Sequence, residues 1–253
     1  MDSVTSEQPQ DSGQESAPQN PDQNTVPEEH KRRIRSFALR TGRKTAGQQR
    51  GMDVFWPRWG LTVDQGMIDP AQVFEREAPL VIEIGFGMAD SLLEQGANMP
   101  DHNFIGIEVH TPGVGRLMAE AGDAGLTNIR AYEDDAIEVL NQCIPDGSVD
   151  LLQLFFPDPW HKKRHHKRRI VKADFVQMIR QKLKVGGRFH MATDWENYAE
   201  QMIEVMKEAE GYENTSTDGD YVPRPDSRPV TKFEKRGQRL GHGVWDIIYR
   251  KIS

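Results

Sequence analysis

The sequence predicts an α/β fold in which a doubly wound, mostly parallel sheet carries helices on both faces. Three observations predict it. From Leu80 onward, short runs of β-forming residues alternate with helical segments across short loops. The run Val149–Phe156 is long and mainly apolar, as a strand buried on both faces must be. A Gly-x-Gly turn, Gly85-Phe86-Gly87, follows the first strand, at the carboxyl edge where open α/β sheets hold ligands.

The elements follow in order. Leu80–Ile84 reads as a strand and Asp90–Asn98 as a helix. Phe104–Val109 is a second strand, Thr111–Ala124 a second helix, Ile129–Tyr132 a third strand and Ala136–Cys143 a third helix. Val149–Phe156 is the fourth strand. Pro157 and Pro159 stop it, because proline donates no N–H and fixes φ. A helix over Lys172–Leu183 leads through a Gly186-Gly187 turn into a strand at Arg188–Ala192. A helix over Glu196–Glu208 and an edge strand over Val244–Arg250 complete the pattern. The aromatic-rich stretch Met52–Gly60 is expected to pack across the outside of the core.

The 253 residues suffice for one such domain plus a tail. Three regions are expected: a disordered acidic tail over 1–30, a basic arm over 31–50 and the folded domain over 51–253. Residues 1–29 carry seven acids, no Lys or Arg, and almost nothing apolar to offset the entropy of ordering. That tail accounts for the formal charge of −7, so the remainder is close to neutral. Residues 31–44 hold Lys31, Arg32, Arg33, Arg35, Arg40, Arg43 and Lys44 with no acid. They read either as an arm that folds on RNA or as a charged linker. Cys143 is the only cysteine, which excludes an internal disulfide and a cysteine-built metal cluster. No apolar run approaches membrane-spanning length, and the N-terminus lacks the features of a signal peptide. The expectation is a cytoplasmic protein with no membrane partner, a monomer or else a homodimer.

The glycine loop lacks the third small residue of a dinucleotide fingerprint, because Asp90 stands there. A carboxylate at that point opposes a pyrophosphate. The loop therefore suits a nucleoside without phosphates, such as S-adenosylmethionine, whose charged half is cationic. Glu83 ends the first strand and can attract that half. Glu108 ends the second, where an acid meets ribose hydroxyls. After the third strand, Asp135 is placed for the adenine edge, with Asp134 as its rival and an N-cap as its plainer role.

Beyond the fourth strand, Pro157-Asp158-Pro159-Trp160 runs into His161-Lys162-Lys163-Arg164-His165-His166-Lys167-Arg168-Arg169. Lys162 to Arg169 is a one-sign run beside the proposed site, which points to phosphate contact. The histidines read as RNA-facing rather than as metal ligands, so no metal is expected. Trp160 is either a lid or a stacking platform for a base. Asp158 and Asp194 are candidates for stabilising positive charge; Asp194 is also a possible N-cap for the helix at Glu196.

These residues resemble a known family. Glu83-Ile84-Gly85-Phe86-Gly87, Gly106-Ile107-Glu108-Val109-His110, Phe155-Phe156-Pro157-Asp158-Pro159-Trp160-His161-Lys162, Ala192-Thr193-Asp194-Trp195 and Arg228-Pro229-Val230-Thr231-Lys232-Phe233-Glu234 are similar to the bacterial tRNA (guanine-N7)-methyltransferases. The likeness runs from about Phe55 to the C-terminus. It implies the Rossmann-like class I methyltransferase fold with seven strands, S-adenosylmethionine as methyl donor, and tRNA as partner. It implies cofactor roles for Glu83, Glu108, Asp135 and Asp158, with Asp158 also catalytic; Gly85 and Gly87 join them on the reading of the turn itself, where glycine lets the backbone approach a bound ligand. Lys162, Asp194, Thr231, Lys232, Phe233 and Glu234 would bind substrate; Arg164, His165, His166, Lys167, Arg168 and Arg169 would contact RNA. In the Pro-, Arg- and Gly-rich stretch 222–243, Lys232 can meet a phosphate and Glu234 a guanine edge by their chemistry; the alternative is a surface loop with no role, and the resemblance favours the functional reading. The implied target is guanosine 46 of the tRNA variable loop; an exocyclic base nitrogen is the lesser alternative. Two rivals remain: an RNA-binding protein on this fold without turnover, and a nicotinamide-dependent dehydrogenase, against which Asp90 speaks.

Overall fold

The computed structural model describes residues 1, 36–37, 43–230, 234 and 243–253. The expected acidic tail (beyond Met1), most of the basic arm, Thr231, Lys232, Phe233 and the cations at 235–239 lie outside them. The strands and helices of the described residues all belong to the unit spanning Arg35–Ser253.

Eight strands form one sheet: β1 (Gly60–Leu61), β2 (Leu80–Ile84), β3 (Asn103–Ile107), β4 (Ile129–Tyr132), β5 (Val149–Phe155), β6 (Leu183–Thr193), β7 (Tyr212–Asn214) and β8 (Trp245–Lys251). Their order is β1-β4-β3-β2-β5-β6-β8-β7. β1 to β6 run parallel, and β8 is antiparallel to both β6 and β7. The order reverses between β2 and β5, the point at which a ligand crevice forms beyond the carboxyl ends. The seven strands implied by the resemblance are joined by an eighth, two-residue strand, β1.

β2 is buried along its whole length. Its alternate residues serve two cores, as period-two side chains on a covered sheet do. Leu80, Ile82 and Ile84 enter one cluster with Phe175, Ile179 and Met202. Val81 enters the other with Leu92, Leu117 and Met118. The helices that cover these faces are α1 (Ala46–Arg50), α2 (Trp56–Trp59), α3 (Pro70–Phe74), α4 (Asp90–Asn98), α5 (Thr111–Asp123), α6 (Ala136–Gln142), α7 (Ala173–Lys182) and α8 (Glu196–Glu208).

Three expectations need correction. The predicted Gly186-Gly187 turn lies inside β6, where the register with β5 slips between Val149 and Leu151; Gly186 takes φ +86° within this irregularity. The helix before it stops at Lys182, one residue early. The packed fold also starts upstream of residue 51. α1 packs on α5, and the Arg50 guanidinium bonds the Asp123 carboxylate. The stretch after it is helical, and Trp59 is buried while Met52, Phe55 and Trp56 pack against the second core. Among the described residues no helix is long and apolar enough to cross a membrane.

Candidate functional site

A cleft of about 750 Å³ opens beyond the carboxyl ends of β2, β3, β4 and β5. Glu83, Gly85, Gly87, Glu108, Asp134, Asp135, Asp158 and Asp194 all line it. Residues far apart in the chain therefore meet because each follows, or closes, a strand of one parallel sheet.

The glycine loop is shaped for close approach. Gly85 and Gly87 take φ +73° and +56°, and both have open space where a Cβ would stand. Glu108 holds the loop: Oε2 accepts from the Gly87 N–H at 2.8 Å, and Oε1 from those of Val109 and His110 at 2.7 and 3.0 Å. From the other side Arg116 of α5 donates to the Met88 carbonyl at 2.7 Å and to Asp90 at 2.9 Å. Asp90 is thus matched with a guanidinium at the position a dinucleotide site keeps small.

Glu83 is 2 % exposed, and its Oε2 has no hydrogen-bond partner. Burial pushes its carboxyl up to about 8; the Ser91 hydroxyl opposes that shift and the Glu108 charge adds to it. Ser91 leads to a buried amide pair. Gln95 donates to Ser91 at 2.9 Å, and Gln95 and Gln153 exchange hydrogen bonds at 3.1 and 2.7 Å. A buried carboxyl oxygen without a partner, on the wall of a cleft, fits a cationic group of a ligand, which would favour its ionised form. The nearby glycine turn fits a nucleoside. Together they match the two halves of S-adenosylmethionine.

Asp135 accepts from the Ile137 N–H at 2.9 Å and caps α6, while Asp134 accepts from the Asp135 N–H at 2.7 Å. The plainer N-cap role of Asp135 is therefore present, and both residues still line the cleft. Asp194 is not a cap. The N-cap of α8 is Trp195, without a side-chain cap bond, and Thr193 accepts from the Trp195 N–H at 3.2 Å.

The Pro157–Pro159 corner is strained at both ends. Phe156 and Trp160 take φ +51° and +48°, an outlying region for bulky residues that costs about 1–3 kcal/mol each. Surrounding contacts hold both. The Phe156 N–H donates to the Ala192 carbonyl at 2.8 Å. The Trp160 indole N–H donates to the Ser36 carbonyl at 3.2 Å, and the Arg168 guanidinium lies 3.8 Å from its ring centre. Trp160 is thus packed between neighbours, and the corner presents Asp158 exposed at the cleft.

Residues Lys163–Arg168 form a 3₁₀ turn on the rim, with Lys162, Lys163, Arg164 and Lys167 exposed. His161 lines the cleft and meets the Trp195 ring edge-on, with centroids 4.3 Å apart. His165 lies edge-on to Trp160, and His166 pairs with Arg169 at 3.2 Å.

Arg169 corrects the expectation of RNA contact. It is 1 % exposed, so it cannot lie against a phosphate backbone. Its guanidinium bonds the Pro159 carbonyl at 2.9 Å, Gln201 at 3.0 Å and Asn197 at 3.0 Å, and sits over the Tyr198 ring. It clamps the far end of the proline corner to α8. The only local hint was its place as the last cation before the apolar pair Ile170-Val171.

Glu234 also departs from expectation. It is 3 % exposed and does not line the cleft; its Oε2 and Oε1 meet Arg228 at 2.7 and 3.1 Å. Sequence reasoning gave Arg228 no role. The acid within the apolar strand around Asp246 was the available signal, since such a group requires a partner.

Comparison with known proteins agrees with this geometry. A family model described as a putative methyltransferase matches residues 77–247. The tRNA (guanine-N(7)-)-methyltransferase of Shewanella amazonensis is 61% identical over 222 residues, which is 88% of this chain and 93% of that protein. The same-named protein of Saccharophagus degradans is 60% identical over 225 residues, 89% of this chain and 98% of the relative. Among solved structures, the 16S rRNA methyltransferase KamB superposes with a TM-score of 0.56 at 14% identity, covering 74% of this chain and 95% of KamB. That likeness concerns the fold alone. With a cleft at the sheet's reversal point, strand-end acids around a glycine turn and relatives matched over nearly their full length, this chain belongs to the tRNA (guanine-N7)-methyltransferase family.

Proposed function

We propose that the chain transfers a methyl group from S-adenosylmethionine to N7 of a guanine in tRNA, at guanosine 46 of the variable loop, giving 7-methylguanosine. The observation that carries this reading is the make-up of one cleft. It joins an unpartnered buried Glu83 oxygen, the exposed Asp158, the half-buried Asp194 and a cationic rim.

Glu83 and the glycine loop would hold the cofactor, with Glu108 fixing the loop and Asp134 or Asp135 near the adenine. When bound, S-adenosylmethionine supplies a sulfonium methyl: the N7 lone pair forms the new C–N bond, and the C–S bond pair returns to sulfur. Guanine N7 needs no prior deprotonation, so the protein's work is alignment of the reacting atoms. The positive charge lost by sulfur arrives on the purine ring. Asp158, fixed on its strained corner, is suited to favour that charge over the ground state, with Asp194 on the same cleft as the second carboxylate. Lys162, Lys163, Arg164 and Lys167 would steer and hold the tRNA backbone, with Lys162 nearest the corner in sequence.

The test is to incubate the protein with unmodified tRNA and labelled S-adenosylmethionine and map the label by cleavage selective for N7-alkylated guanine. One cleaved guanosine in the variable loop is expected. Label resistant to that chemistry, as on an exocyclic nitrogen, would overturn the reading.

A further inference from the structure

Four ionisable side chains are buried together behind the cleft. His190 is 3 % exposed, Arg228 1 %, Glu234 3 % and Asp246 3 %. Arg228 is the hub. Its Nε and Nη2 bond the two oxygens of Asp246 at 2.7 and 2.9 Å, and its Nη1 and Nη2 bond those of Glu234 at 2.7 and 3.1 Å. Asp246 also meets His190 Nε2 at 2.7 Å. Burial alone would raise the Asp246 carboxyl, yet the His190 and Arg228 hydrogen bonds hold it below the usual range.

The hub reaches the cleft wall. The Arg228 guanidinium lies 5.9 and 5.7 Å from the ring centres of Phe155 and Phe156, and His190 meets Phe155 edge-on at 4.9 Å. Phe155 and Phe156 line the cleft shortly before Asp158. One guanidinium therefore connects β8, through Asp246, the end of the Thr231–Glu234 motif, and the wall that carries the proline corner.

Stability alone is a weak reason for such a cluster, because a buried ion group returns little more than its desolvation costs. Its use lies in geometry. A planar fork saturates two carboxylates at fixed angles, which a lysine cannot do. We propose that Arg228 is a positioning residue for methyl transfer: it holds Glu234 in place and braces Phe155 and Phe156, so that Asp158 meets the acceptor base correctly. Glu234 then acts through Arg228 rather than by reading a guanine edge. This rests on the methyl-transfer reading above.

The experiment uses the full-length chain, tRNA transcript and labelled S-adenosylmethionine, with variants R228K, E234Q and the double variant. R228K keeps the charge and loses the fork, so it spares the fold better than truncation. For R228K and E234Q, kcat should fall about thirtyfold or more, since small misplacements near the reacting atoms cost that much. Cofactor Kd, read by calorimetry, should stay within about twofold, because Glu83 and the glycine loop make no use of Arg228. The double variant should be no worse than the poorer single variant by more than about threefold. R228K with near wild-type kcat, an equal loss of cofactor affinity, a loss confined to KM for tRNA, or losses that multiply in the double variant would each overturn the proposal. Absence of 7-methylguanosine with the wild-type chain would instead defeat the underlying reading, so the two failures are distinguishable.

Discussion

Gly113 on α5 lies so close to Gly87 that a β-carbon there would stand 1.9 Å from the Gly87 carbonyl oxygen. The helix and the glycine loop touch backbone to backbone, and Arg116 about one turn later bonds the Met88 carbonyl. α5 therefore sets the height of the loop. Gly113→Ala must displace it, and forcing extra atoms into such a contact costs about 1–3 kcal/mol. Cofactor Kd should rise about tenfold or more by calorimetry. Unchanged affinity would show that the loop moves without consequence.

Glu83 makes a pH-dependent prediction. Its folded pKa, raised to about 8 from 4.5, means that the folded protein keeps a proton that the unfolded chain gives up between those values. The stability from protonated Glu83 is then complete below about pH 4.5 and is lost as pH rises through about 8. Chemical denaturation of wild type and Glu83→Gln across this window should give a difference that shifts steadily against wild type as pH rises. Docking of a cation should also drive the proton off. Titration of S-adenosylmethionine near pH 7 in buffers of different ionisation enthalpy should show proton release, absent from Glu83→Gln. Identical release in both proteins would remove Glu83 from the cationic end of the site.

The proline corner yields a prediction that distinguishes binding from turnover. Asp158 is exposed, whereas Glu83 and the glycine loop, which would hold the cofactor in the proposed reading, lie elsewhere on the cleft lining. Asp158→Ala should lower kcat by about 10²–10³, the range for loss of one preorganised electrostatic contact, with a much smaller change in cofactor Kd. Equal loss of both would make Asp158 a cofactor ligand alone.

The cationic rim divides into exposed and buried members. Lys163→Ala or Arg164→Ala should reduce the salt dependence of tRNA binding by about 0.7–0.9 in log–log slope each, with no change in Tm. Arg169→Ala should leave that slope unchanged and destabilise the fold by about 2–4 kcal/mol, because Pro159, Asn197 and Gln201 lose their donor. The opposite pattern would put Arg169 at the RNA surface.

That division was not legible in the sequence, where Lys162 to Arg169 is one run of like charges. The central strands were legible, because Leu80–Ile84 and Val149–Phe155 carry mainly apolar patterns set by burial on two faces. Strand-end placement of Glu83, Glu108 and Asp158 followed from the same pattern. β1 and β7, with two and three residues, carry too little pattern to register. Arg228 pairs with Asp246 eighteen residues away, a tertiary fact that no local spacing encodes. The Gly186-Gly187 turn was misread because a pair of glycines suits a sheet irregularity as well as a loop.

The most direct measurement is the position of the methyl group on tRNA after reaction with wild type and with Asp158→Ala at equal cofactor saturation. Cleavage selective for N7-alkylated guanine should cut one variable-loop guanosine with wild type, with the methyl appearing about 10²–10³ more slowly in the variant. Methyl on any other base atom, or equal cutting by both proteins, would contradict the placement of a guanine N7 beside Asp158.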